Sequence, residues 1–141
     1  MSKFSGINNY THGNTGKLGI LIVNLGTPDA PTADALKKYL GEFLSDSRVV
    51  EIPAIIWKVI LHGIILRTRP AKSAKAYESI WTDQGSPLMV GTEKLSAQIA
   101  DKLQTQIAGE CMVLTAMRYG NPSISKQLQT MQSSGVERIL V

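Results

Sequence analysis

Two short polar stretches hold the side chains best suited to chemistry: Arg67 and Arg69 after a long apolar run, and Arg118-Tyr119 after a strand-like run. A guanidinium presents a rigid fork of donors that matches a carboxylate, so each arginine suits an anionic ligand. Simpler roles compete. Arg67 and Arg69 would equally serve the last carbonyls of a helix over 54–66, and Arg118 would pair with a loop carboxylate. Ser86, within Gly85-Ser86-Pro87-Leu88, offers a hydroxyl in a loop, although Ser-Pro often just opens a turn. Asp46 and Arg48, opposite charges just after a helix, read as residues that fix a loop. Metal binding finds little support: His12 and His62 have no partner at ligand spacing, and Cys111 is the single cysteine.

The elements that must position these groups follow from periodicity. Leu18–Val23 is apolar or glycine throughout, as expected of a strand buried on both faces of a parallel sheet. Asn24-Leu25-Gly26-Thr27-Pro28-Asp29 reads as the turn at its carboxyl end, where open α/β sheets bind ligands. Thr32 is placed to cap a helix running to about Ser45, with Leu36, Tyr39, Leu40, Phe43 and Leu44 forming one stripe. Pro53 breaks the chain before Ala54–Leu66, a nearly continuous apolar helix well short of the ~20 residues that span a bilayer. Lys58 and His62 form one narrow polar line on it. A further helix is expected from Pro70 to about Trp81, then a loop over Thr82–Pro87. Thr92 is expected to cap a helix that carries Leu95, Ile99, Leu103 and Ile107 inward and stops at Gly109. Cys111–Ala116 reads as a second strand and Arg118–Pro122 as its polar turn. Ser123 caps a helix over Ile124–Ser133 with Ile124, Leu128 and Met131 facing inward, and Gly135 ends it. Three parallel strands result: Leu18–Asn24, Cys111–Ala116 and Val136–Val141. The predicted fold is α/β, a Rossmann-like parallel sheet with flanking helices.

Composition sets limits. The 141 residues make about one domain, and 43% hydrophobic with 18% charged is ordinary for a globular chain. A net charge of +4 is mild, and no Lys/Arg block interleaves with aromatics, so no nucleic-acid partner is expected. A lone cysteine excludes an internal disulfide and makes a reducing cytoplasm the default. Residues 1–16 are polar, without the apolar core of a signal peptide, and read as a flexible tail. Val136–Val141 begins a strand with no following turn or helix, so residues 17–141 read as an incomplete domain, truncated at its third strand.

Taken together, Leu18–Asp29, Leu44-Ser45-Asp46-Ser47-Arg48-Val49-Val50, Gly85-Ser86-Pro87-Leu88 and Met117-Arg118-Tyr119-Gly120-Asn121-Pro122 resemble the amino-terminal part of ferrochelatases. The resemblance covers about Lys17 to Val141, in the order and rough spacing of that family. It implies a chelatase-like half domain of a lyase that inserts ferrous iron into protoporphyrin IX at the end of haem synthesis. Iron(II) and the porphyrin are substrates, and no permanently bound cofactor is expected. Such a site needs a wide apolar slot, groups for two propionates, a metal path, a base for the pyrrole protons, and a ring held bent.

By this resemblance Ala54–Leu66 is the exposed lip of the porphyrin cleft, whereas its sequence alone would read as a core helix. Arg69, Tyr77 and Ser86 become propionate contacts, and Arg118 and Tyr119 form part of the pocket floor near the metal route. These five are the expected substrate-binding residues, and Arg69, Ser86, Arg118 and Tyr119 are expected around one apolar cleft lined by Ile55, Ile56, Val59 or Leu88. Leu25 stands where some members have a tyrosine. The catalytic histidine and its acidic partner belong to motifs that would follow Val141, so no catalytic or metal-binding residue is expected in this chain. The 141 residues alone are expected to be inactive and to need a carboxyl-terminal half. A cytoplasmic location, peripheral to the inner membrane through Ala54–Leu66, is expected. Two other readings stay open. Gly26-Thr27-Pro28 invites a dinucleotide fold, but the G-x-G-x-x-G pattern is absent and Pro28 removes an amide. A non-catalytic α/β ligand-binding module, or one that docks on a membrane or partner through Ala54–Leu66, needs no downstream motif.

Overall fold

The computed structural model describes residues 16–107 and 109–141. His12 and nearly all of the expected amino-terminal tail lie outside the described residues. The three strands are β1 (Leu18–Thr27), β2 (Cys111–Gly120) and β3 (Arg138–Leu140). They form one parallel sheet in the order β2-β1-β3, with Leu18 opposite both Cys111 and Arg138. The helices are α1 (Ala33–Ser45), α2 (Ala54–Ile60), α3 (Leu66–Glu78), α4 (Pro87–Gln106) and α5 (Ile124–Ser133). The α/β fold read from the sequence, a parallel sheet with flanking helices, is what the chain forms.

Alternation along the strands divides the core. Leu21 and Ala116 face α5, where they enclose the fully buried Met131 with Leu114, Ile124 and Val136 around them. The other face carries Thr115, whose hydroxyl meets Ser96 of α4 at 2.7 Å. Asn24 Nδ2 donates to Thr92 Oγ1 at 3.1 Å on the same helix. The inward side of the first half of α4 is therefore polar, which corrects one member of the expected stripe: Leu95 is 49% exposed, while Ile99, Leu103 and Ile107 are half-buried. Thr92 is not a cap either. Ser86 caps α4, accepting from Met89 N–H at 3.2 Å, and Pro87 opens the first turn, where a missing N–H costs nothing.

Three further expectations are corrected. Both long strands run past their predicted ends, so Gly26-Thr27 and Arg118-Tyr119-Gly120 are strand rather than turn. Gly26 makes this extension feasible: its φ is +125°, and a Cβ there would collide with the Tyr119 carbonyl across the ladder. Past Leu21 the strand is no longer covered on both faces, since Val23 is 38% and Leu25 52% exposed. β3 is only three residues long and exposed, where a buried strand over Val136–Val141 was expected.

The apolar run changes most. Residues 54–78 form one continuous helical rod: α2, a π-helical stretch over Leu61–Ile65, and α3. Pro70 lies inside α3 and starts no new helix, and α3 ends at Glu78 rather than Trp81. The π stretch adds a residue to the turn, closed by Leu66 N–H onto Leu61 O. The buried line becomes Leu61, Leu66, Pro70 and Ala74, spaced five, four and four, packed toward α1. The opposite side of α2 is left bare, with Ile55 84%, Ile56 57% and Val59 71% exposed. The exposed reading of this segment holds. Leu128 of α5, expected inward, is also partly exposed.

Candidate functional site

The carboxyl ends of β1 and β2 meet the end of α1, and the best-organised polar cluster lies there. Asp46, the residue that ends α1, accepts from Arg118 Nη2 at 2.8 Å and from the Tyr119 hydroxyl at 3.0 Å on the same Oδ2 oxygen. Its Oδ1 accepts from the Arg48 backbone N–H at 2.9 Å. That amide and the Arg118 guanidinium, with a smaller part from Tyr119, lower the Asp46 pKa to about 2. The carboxylate pair raises the Arg118 pKa further above its already high value. Glu42, one turn earlier on α1, accepts from Gly120 N–H at 2.9 Å. Phe43 meets the Tyr119 ring edge-on at 5.2 Å and stacks on Tyr39 at 6.0 Å. The buried Tyr39 hydroxyl donates to Gly26 O at 3.2 Å, and burial first, then nearby phenols, pushes its pKa to about 12. An open depression of 290 Å³ is lined by Glu42, Ser45, Asp46, Arg118 and Tyr119.

Ser86 lies 3% exposed beside a second depression of 180 Å³, shared with Thr27, Asp29, Trp81, Gln84 and Asn121. As the cap of α4 its oxygen is already an acceptor, which leaves its O–H to donate. Asn121 Nδ2 donates to both Asp29 oxygens at 3.0 and 3.1 Å. Thr27 Oγ1 is the one buried side-chain polar atom without a partner among the described residues. Tyr77 is half-buried at the end of α3 and meets Trp81 edge-on at 6.3 Å, which ties it to the Ser86 side.

Arg69 is exposed and lines a third groove of 310 Å³ with Leu40, Leu44, Trp57, Ile65 and Ser73. Arg67 is exposed too. Neither ends a helix, so the role of neutralising terminal carbonyls at residue 66 falls away. Arg69, Ser86 and the Arg118-Tyr119 pair each line a different depression; Tyr77 and Ser86 are brought near one another through Trp81, Tyr77 and Tyr119 through Tyr39, and Arg118 and Tyr119 through Asp46. Among the described residues no group of three or more His, Cys, Asp and Glu side chains comes together as a metal site.

The sequence reading singled out Asp46 only as a loop residue and passed over Glu42. An acidic residue closing a helix whose last turn has no basic residue was the available signal, because it opposes the helix dipole. Thr27 had none: nothing in the residue type shows that its hydroxyl would be sealed without a partner.

The family model described as Ferrochelatase matches residues 17–141. The chain is 52% identical to the ferrochelatase of Marinobacter nauticus over 138 residues, 98% of this chain and 37% of that protein. It is 55% identical to the ferrochelatase of Nitrosomonas europaea over 132 residues, 94% of this chain and 36% of that one. Against Ferrochelatase 2 of Shewanella oneidensis the identity is 52% over 130 residues, 92% and 39% of the two chains. The chain thus spans well under half the length of the curated relatives it matches.

Proposed function

The chain belongs to the ferrochelatase family, and on that footing we propose that it supplies one wall of the porphyrin site in an enzyme that inserts ferrous iron into protoporphyrin IX. The observation that carries the reading is the bare side of α2. Ile55, Ile56 and Val59 are exposed on α2, which buries no residue fully; Trp57 and Ile60 are half-buried, and the rod is sealed only further along, by Leu61, Leu66, Pro70 and Ala74. A folded protein keeps such an apolar face open for a contact, and a flat macrocycle is a contact of the right chemistry. Arg69 reaches the porphyrin edge as a propionate partner, with Ser86 and Tyr77 contributing hydroxyls on the α4 side. Arg118 and Tyr119 belong to the floor of the site, at the carboxyl end of the parallel sheet where such folds bind ligands. Iron and porphyrin pass through as substrates, and we assign the chain no resident cofactor.

The pyrrole protons need a base, and the resemblance puts that histidine and its acidic partner after Val141. Residues 1–141 alone therefore bind porphyrin weakly and do not turn over, since a positioned base is worth about 10²–10⁴-fold. The test measures zinc or iron insertion into a soluble porphyrin by the full-length protein that carries this segment, beside residues 1–141 alone. Porphyrin quenching of Trp57 and Trp81 reports binding in each. Metal insertion by the longer protein, sharply reduced but still measurable on Arg118→Ala with the fold intact, is expected. Full turnover by residues 1–141 would refute this division of roles.

The same bare face favours a second reading, peripheral contact with the cytoplasmic side of the inner membrane. No helix among the described residues is long and apolar enough to cross a bilayer. Flotation with liposomes that is abolished by Ile55→Glu, while porphyrin quenching persists, would favour it.

A further inference from the structure

Asp46 breaks a local rule. It closes α1, where backbone carbonyls already carry partial negative charge and no basic side chain occupies the last turn. A carboxylate is tolerated there because donors from elsewhere gather on it: the Arg48 amide on Oδ1, and Arg118 Nη2 with the Tyr119 hydroxyl on Oδ2. Its side chain is 12% exposed, whereas that of Arg118 is 41% exposed. The carboxylate is thus shielded while the guanidinium it holds stays open to the depression.

Anchoring α1 does not require Asp46. Leu36 is fully buried, the Tyr39 hydroxyl reaches Gly26 O, and Glu42 takes the Gly120 amide. The hydrogen bonds that Asp46 takes from β2 come only from the tips of two side chains. Removing the carboxylate would free those tips and leave the helix where it is.

We propose that Asp46 is a positioning residue for metal insertion: its Oδ2 holds the Arg118 guanidinium and the Tyr119 hydroxyl in place at the carboxyl end of β2 and neutralises the arginine charge there. This rests on the reading above that places Arg118 and Tyr119 beside the substrates. The charge consequence is direct. Glu42 and Asp46 face Arg118 in the depression they line, and Arg48 Nε stands 3.5 Å from Asp46 Oδ1, so two carboxylates balance two guanidinium groups there. Without Asp46 the guanidinium would meet an incoming divalent cation unscreened on its near side, and its long side chain would regain rotational freedom.

The test is a double-mutant cycle in the full-length protein, with zinc insertion into a soluble porphyrin as readout for wild type, Asp46→Asn, Arg118→Ala and the pair. Hydrogen bonds to ionised groups predict a loss of about ten- to hundredfold in kcat/KM for Asp46→Asn. The KM for the metal should rise while the KM for the porphyrin stays nearly fixed. In the Arg118→Ala background the same substitution should cost less than about threefold, and Asp46→Glu should restore part of the wild-type rate. Equal losses in both backgrounds, or no loss at all, would overturn the proposal. A readout independent of turnover is the guanidinium of Arg118 in a ¹⁵N-arginine spectrum. Restricted rotation about its Cζ–Nε bond is expected in the wild type and free rotation in Asp46→Asn. Restricted rotation in both would overturn the proposal whatever the rates. A wild-type protein that inserts no metal would refute the proposed function, and the spectrum would still decide the positioning role.

Discussion

Gly26 and Gly85 share nearly the same φ, +125° and +119°, but not the same surroundings. Nothing lies within 4 Å of the place where a Gly85 Cβ would stand, whereas at Gly26 it would run into the Tyr119 carbonyl. Gly85→Ala therefore costs only backbone strain, about 1–3 kcal/mol. Gly26→Ala carries that strain and must also part β1 from β2 at the Gly26–Tyr119 and Thr27–Gly120 pairs. The Tyr39 bond to Gly26 O is endangered as well. Two or three hydrogen bonds at about 1 kcal/mol each bring the total to roughly 3–6 kcal/mol. Hydrogen exchange resolved on peptides from β1 and β2 measures this locally, without requiring the whole protein to unfold in one step. Protection over residues 18–27 and 111–120 should fall about 30-fold or more below that of Gly85→Ala, the equivalent of ~2 kcal/mol. Equal effects of the two alanines would refute the argument, because the close approach of the strands at Tyr119 would then carry no energy.

Other expectations follow from single residues. Leu36 is 0% exposed at the start of the α1 stripe, so Leu36→Ala should destabilise by about 2–5 kcal/mol in denaturant titrations. Asp46 has a folded pKa of about 2, below its ordinary 3.8. The stability it contributes is thus complete above about pH 4 and lost as pH falls toward 2. The stability gap between wild type and Asp46→Asn should close over that interval, and a constant gap would refute the pairing. Ser86→Ala removes the α4 cap and should cost about 0.5–2 kcal/mol. Ser86→Asn keeps a capping acceptor but loses the hydroxyl, so reduced porphyrin quenching in both variants would identify the O–H as the ligand contact.

The elements with a strong local signature were legible in advance. Thr32 and Ser123 cap α1 and α5 as their side-chain chemistry dictates, and α5 occupies the predicted span. The parallel pairing followed from apolar strands alternating with helices. Strand ends were misjudged because polar residues at Arg118 and Thr27 look like turn residues, yet the ladder between two neighbouring strands holds them. Ser86-Pro87 looked like a loop because Thr82–Pro87 has the composition of one and Thr92 offered a capping side chain further on, whereas α4 already opens at Pro87.

Residue types and order alone determined the fold class, most element positions, the family likeness and the arginine, tyrosine and serine side chains suited to a carboxylate-bearing ligand. Local chemistry suffices for these, since caps, breaks and periodicity act within a few residues of themselves. Only the tertiary structure decided which side of Ala54–Leu66 is bare. The run is apolar almost all round, and the π stretch at Leu61–Ile65 sets the phase that turns Leu61, Leu66, Pro70 and Ala74 inward. Only the structure joined Asp46 to Arg118, 72 positions away, and distributed Arg69, Ser86 and Arg118 among three depressions. A hydrogen bond between such distant residues depends on how the sheet brings chain segments side by side, and no local pattern encodes that geometry.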